Sequence, residues 1–113
     1  MMDSGAARLR RLSGMTGGDM WIYILASGWN GTLYVGVTNR LSRRMAEHRE
    51  GRGSEFARRY GVTHLVYAER FDRADEAIAQ EKRMKKWHRR RKIALIEASN
   101  PDWRDLYDTI HLD

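Results

Sequence analysis

The 113-residue chain has no cysteine, one proline and two phenylalanines, and its 15 Asp and Glu are outnumbered by 21 Lys and Arg. Without cysteine there can be no disulfide, no thiolate nucleophile and no zinc site built on sulfur. That lack also suits a reducing, cytoplasmic setting. No apolar run approaches the roughly 20 residues that cross a bilayer, so no membrane partner is expected. The length allows one domain with a modest core, monomeric by default, and the 42% hydrophobic content excludes disorder of the whole chain.

The positive charge is unevenly placed. Residues 40–92 hold 17 Lys and Arg against 8 Asp and Glu, while residues 93–113 hold one against five. Within 82–92, KRMKKWHRRRK, eight of eleven residues are basic. Such density repels itself unless salt, water or a polyanion neutralises it, and a phosphate backbone does so with release of counterions. A solvated helix face and a localisation signal are the other readings of the run. As a nucleic-acid contact it would use Lys82, Lys85, Lys86, Arg89 and Arg90, joined by Arg40 and Arg43 from the preceding helix.

Residues 1–19 carry Gly, Ser and Arg with almost no large apolar side chains. They lack the apolar stretch of a secretion signal and are expected to be a disordered extension, or to precede a true start at Met20. From Met20 two β-branched and aromatic runs, Trp21–Ala26 and Thr32–Thr38, flank the turn residues Ser27-Gly28-Trp29-Asn30-Gly31. This predicts an antiparallel hairpin. Alternation puts Ile22, Ile24, Leu33, Val35 and Val37 on one face. Trp21, Tyr23, Leu25, Tyr34 and Gly36 fall on the other.

Leu41, Arg44, Met45 and His48 form a helical stripe over 40–50, and a short helix is expected at 55–60. Residues 62–68 read as a third strand. Asp72 is the expected N-cap of a helix running to about Trp87, and a further helix over 89–98 ends at Asn100-Pro101. In the tail, 101–113, Trp103, Leu106, Tyr107 and Ile110 share a helical stripe able to dock on the core. The order β-β-α-(α)-β-α-α is an α+β domain with a small sheet over residues 20–100.

Glu81 falls between Ala77 and Ile78 on the sheet-facing side of its helix. A buried carboxylate needs a compensating cation, and Lys85 at i+4, a divalent metal or water in a cleft would each serve. Arg44 and His48 are likewise one turn apart on an inward stripe. Together with Tyr23 and Tyr34 they are suitable parts for metal-assisted phosphodiester cleavage. The Glu would hold a cation, the Arg would stabilise the phosphorane, and a Tyr or His would manage the water's proton.

The ordered set Trp21-Ile22-Tyr23, Tyr34-Val35-Gly36, Arg44, His48 in RRMAEH and Glu81 in AIAQEKRMKKW resembles the GIY-YIG nuclease superfamily in its small stand-alone form. It is similar to the nuclease module of the excision-repair incision subunit. Trp21 stands in place of the family's first glycine, and Val35 in place of its isoleucine. The resemblance implies a three-stranded antiparallel sheet flanked by helices, and one Mg²⁺ or Mn²⁺ held by Glu81 and waters. It implies that Tyr23 acts on or positions the attacking water, with Tyr34 in support. Arg44 would stabilise the transition state, His48 would assist proton transfer or hold phosphate, and Asn100 is the counterpart of the family's late asparagine. The implied reaction is endonucleolytic cleavage of DNA to 5′-phosphate and 3′-hydroxyl ends. A non-catalytic nucleic-acid-binding module and an assembly protein using the Trp103–Ile110 stripe are the competing readings. Repair, recombination and defence are all open as roles.

Overall fold

The computed structural model describes residues 20–109, so the expected disorder of 1–19 and the stripe's last member, Ile110, lie outside the described residues. Strand β1 (Met20–Ala26) is central, with β2 (Leu33–Thr38) on one side and β3 (His64–Phe71) on the other, all antiparallel. Helices α1 (Leu41–Arg49) and α2 (Glu55–Tyr60) link β2 to β3. Helices α3 (Ala74–Lys85) and α4 (Arg89–Ser99) follow β3, and a short 3₁₀ turn over Leu106–Thr109 closes the described chain. This is the expected α+β order.

The hairpin forms for local reasons. Asn30 adopts a left-handed φ of 57°, which Asn tolerates, and Ser27 closes the loop, its backbone N–H donating to Thr32 O and its hydroxyl oxygen accepting from Thr32 N–H. The register then pairs Tyr23 with Gly36 and Ile24 with Val35. Alternation sorts the side chains as expected. Ile22, Ile24, Val35 and Val37 pack with Ala77, Ile78, Met84 and Ile96 of α3 and α4. Tyr23 and Leu25 pack with Leu41 and Met45 of α1 and Ala57 of α2. A central sheet thus lies between two helical layers, each burying its own apolar stripe.

Helix ends differ in how they are finished. Ser54 caps α2 by accepting from Ala57 N at 2.9 Å, and Gly61 ends it in the left-handed conformation at φ 63°. The expected cap Asp72 does not cap α3: Arg73 holds the N-cap position, with no side-chain cap bond. Asp75 and Glu76 in the first turn and Lys82, Arg83 and Lys85 in the last oppose the helix dipole favourably instead.

The tail also departs from expectation. Trp103 has φ 56°, which no continuous helix accommodates, so the stripe is divided between the two layers. Trp103 is buried with the α3–α4 cluster, whereas Leu106 and Tyr107 pack with the α1–α2 cluster. The chain therefore wraps the β3 edge. Asp105 makes that turn possible: its carboxylate accepts from Leu65 N at 3.2 Å and Tyr107 N at 3.0 Å, and pairs with Arg49. Burial alone would raise the Asp105 pKa. The Arg49 hydrogen bond and charge and the two backbone donors outweigh it and hold the group below the ordinary carboxylate range.

Candidate active site

The polar cluster begins at β1. Tyr23 is fully buried and its ring crosses Gly36 on the neighbouring strand, where a Cβ would fall closer than 3.0 Å to the hydroxyl and ring carbons. The glycine is therefore a space requirement of the tyrosine. Tyr23 Oη lies 3.1 Å from His48 Nε2, on the inward side of α1. Tyr34, one residue into β2, completes a triangle, with ring centroids 6.4 Å from Tyr23 and 5.5 Å from His48. His48 is held from behind by the loop after α1. Gly53 lies against it, and a Cβ at that position would overlap the imidazole. Gly51, at φ 79°, bends the chain back to make this approach.

Arg44 sits one turn before His48, partly buried, and its Nη1 is 3.2 Å from Glu47 Oε1. Glu47 also takes Arg43 at 3.5 Å. Glu81 lies on α3, in the opposite layer, which packs over β2. It is buried at 7% exposure, and Lys85 Nζ lies 2.9 Å from its Oε2. The i+4 ion pair that compensates a buried carboxylate is thus formed.

Tyr23, Tyr34 and His48 are in direct ring contact, with Arg44 on the same helix as His48. Glu81 faces the sheet from the other side of β2. Among the described residues no three His, Cys, Asp or Glu side chains form a metal cage. A single buried carboxylate is nonetheless a donor set that suits Mg²⁺ or Mn²⁺, which take one or two carboxylates and fill the rest with water and phosphate.

Asn100 makes its hydrogen bonds to backbone. Its amide donates to Val66 O at 3.1 Å and Arg104 O at 2.9 Å, and its oxygen accepts from Arg104 N at 3.0 Å. Val66 is the extra residue of the bulge where the β1–β3 register shifts, so the side chain satisfies a carbonyl the ladder leaves over. Both amide protons and the carbonyl oxygen of Asn100 thus tie β3 to the start of the tail.

The expected basic residues Arg40, Arg43, Lys82, Lys85, Lys86, Arg89 and Arg90 are all exposed. Arg89 reaches across to the hairpin, donating to Asn30 O at 2.7 Å. Burial and the charges of Arg89 and Lys85 lower the pKa of Lys92, a sign of the crowding that a polyanion would relieve. Gly53, Glu47 and the rings of Phe56 and Tyr60 escape a reading of the sequence. Gly51-Arg52-Gly53 signals only a helix break, and nothing local says which residue the loop presses on.

The model for the GIY-YIG catalytic domain matches residues 19–94. A UPF0213 protein of Bacillus pumilus is 38% identical over 68% of this chain and 78% of its own. One from Natronomonas pharaonis is 36% identical over 69% of this chain and 91% of its own. A solution NMR structure of a UPF0213 protein from Bacillus halodurans, 29% identical, covers 77% of this chain and 92% of that one with a TM-score of 0.49. With the family's catalytic-domain model spanning most of the chain, and the two tyrosines inside that span, the protein belongs to the GIY-YIG nuclease family.

Proposed function

We propose that the chain is a divalent-metal-dependent endonuclease that hydrolyses phosphodiester bonds in DNA, leaving 5′-phosphate and 3′-hydroxyl ends. The observation that carries this reading is the buried Tyr23–His48 pair at 3.1 Å, seated over Gly36 beside Tyr34. A phenol alone is a poor base at neutral pH, and an imidazole within hydrogen-bond reach supplies the acceptor it lacks. With His48 Nε2 as its partner, Tyr23 orients or deprotonates the attacking water. Arg44, released from Glu47 by an incoming phosphate, neutralises the charge that develops on the phosphorane. Glu81 would hold the cation, which supplies Lewis-acid stabilisation of that charge and a more acidic bound water. Lys85 is 45% exposed and free to swing outward to the nucleic acid as the cation takes its place.

The test is cleavage of supercoiled, branched and single-stranded DNA with Mg²⁺ or Mn²⁺. The wild type should nick at least one substrate, and Glu81→Ala should lower the rate by about 10²–10³-fold. Equal rates in the two proteins would dismiss Glu81 as the metal residue.

A second reading, a non-catalytic nucleic-acid-binding module, is favoured by one observation: Lys85 already neutralises Glu81. It calls for salt-dependent binding indifferent to EDTA, and no cleavage. Of the stripe on which the assembly reading rests, Trp103 is buried within the domain and Leu106 and Tyr107 are partly so.

A further inference from the structure

Beyond the buried triangle the rings continue outward. Tyr34 stacks on Phe56, with centroids 5.8 Å apart and planes 27° apart, and Phe56 lies 4.8 Å from Tyr60. Phe56 and Tyr60 stand one helical turn apart on α2 and are 42% and 50% exposed. Only Trp29 is a comparably exposed large hydrophobic among the described residues. Helix α2 does not need these rings to dock, since Ala57 is its buried contact and Ser54 and Gly61 finish its ends.

Two adjoining exposed rings at the mouth of a polar site mark a contact surface. The surrounding charge says with what. The Arg59 guanidinium lies 5.9 Å over Tyr60, while Arg58 on the same helix is paired with Glu55 at 2.6 Å. Aromatic faces bordered by guanidinium groups are the elements that bind unpaired bases, the rings taking the base and the cations the backbone. A base within a duplex has both faces covered by its neighbours, so such a platform discriminates in favour of one that is not stacked.

We propose that Phe56 and Tyr60 form a stacking platform for an unpaired nucleobase adjoining the phosphate held near Tyr23, Tyr34 and Arg44. The preferred substrate is then single-stranded, or branched with an unpaired nucleotide at the cut. This assignment rests on the nuclease reading, and binding measured without cleavage separates the two.

In EDTA, the full chain is titrated against a single-stranded oligonucleotide carrying 2-aminopurine and against a blunt duplex of the same sequence. The wild type should quench the probe in the single strand. Phe56→Ala should weaken single-strand binding on the order of tenfold and abolish the quench. Duplex affinity should change by less than about twofold, because phosphate contacts are intact. Phe56→Trp should preserve both the affinity and the quench, and an unchanged melting curve for Phe56→Ala shows that the fold persists. Equal losses on single strand and duplex would overturn the proposal. So would no loss on either, the result expected if the rings meet a protein. In a parallel Mn²⁺ assay, quenching without cleavage of any substrate would sustain the platform and remove the nuclease reading. Cleavage indifferent to Phe56→Ala, with no quench, would sustain the nuclease and remove the platform.

Discussion

The two faces of the sheet share one central strand and differ in everything else. On the α3–α4 face, β1 contributes Ile22 and Ile24, and the surroundings are aliphatic apart from Glu81 closed by Lys85. On the α1–α2 face, the same strand contributes Tyr23 against an imidazole, a second tyrosine and two glycines pressed onto rings. The first face is built for burial and tolerates exchange of volume. The second is built for contact distances, and a side chain at either glycine would overlap the Tyr23 or His48 ring. Within one layer of backbone, aliphatic packing dominates one side, where Glu81 is the buried exception, and a polar ring cluster dominates the other.

That contrast can be broken from either side. The largest effect on rate should come from Tyr23→Phe, which removes only a hydroxyl. Its cleavage rate should fall by about 10²–10³-fold. Its stability, by denaturant titration, should fall by no more than about 1–3 kcal/mol, the cost of leaving a buried partner unmatched. Ile24→Ala, one residue away, should invert the pattern, losing about 2–5 kcal/mol of stability while the folded fraction cleaves at nearly the wild-type rate. A rate loss in Ile24→Ala as large as that in Tyr23→Phe would show that the two faces are not separable.

Gly53→Ala comes next. Its methyl group would overlap the His48 ring, so the loop or the imidazole must shift, at about 1–3 kcal/mol. Cleavage should fall without change in affinity for single-stranded DNA. A wild-type cleavage rate in this variant would show that Gly53 does not position the imidazole.

The smallest effect concerns the tail. The folded pKa of Asp105 lies below its ordinary value of 3.8. Its stabilisation is therefore fully present above about pH 4 and is lost as pH falls through the depressed value. Asp105→Asn should be less stable than wild type at neutral pH, and urea midpoints should converge as the solution is acidified below that range. A gap that stays constant with pH would place the effect in the loss of packing.

The extent to which this was legible varies with sequence distance. Asn30-Gly31 declares its own turn, and alternation in the hairpin sorts Ile22 from Tyr23 before any third element is known. Helices α1 and α4 follow their stripes within a residue or two. By contrast, the spacing of Trp103, Leu106 and Tyr107 is that of one helix, yet Trp103 breaks it at φ 56° and only Leu106–Thr109 forms a short 3₁₀ turn. Its shape is decided by β3, whose outer edge presents Leu65 N to Asp105, and whose bulge presents Val66 O to Asn100. Those bonds span 40 and 34 residues and leave no mark in local pattern. The same limit hid Phe56: a ring at the start of a short polar helix acquires meaning only when Tyr34 is found beneath it.

By itself the sequence determined the elements, the faces of the hairpin and the inward placement of Glu81, because periodicity and turn chemistry act between near neighbours. Only the tertiary structure decided that Tyr23 meets His48, that Gly53 holds the imidazole, and that Asn100 bonds the β3 bulge. Each of those outcomes depends on where a side chain ends after separate segments have packed. That is settled by excluded volume and by the demand that every buried polar group find a partner.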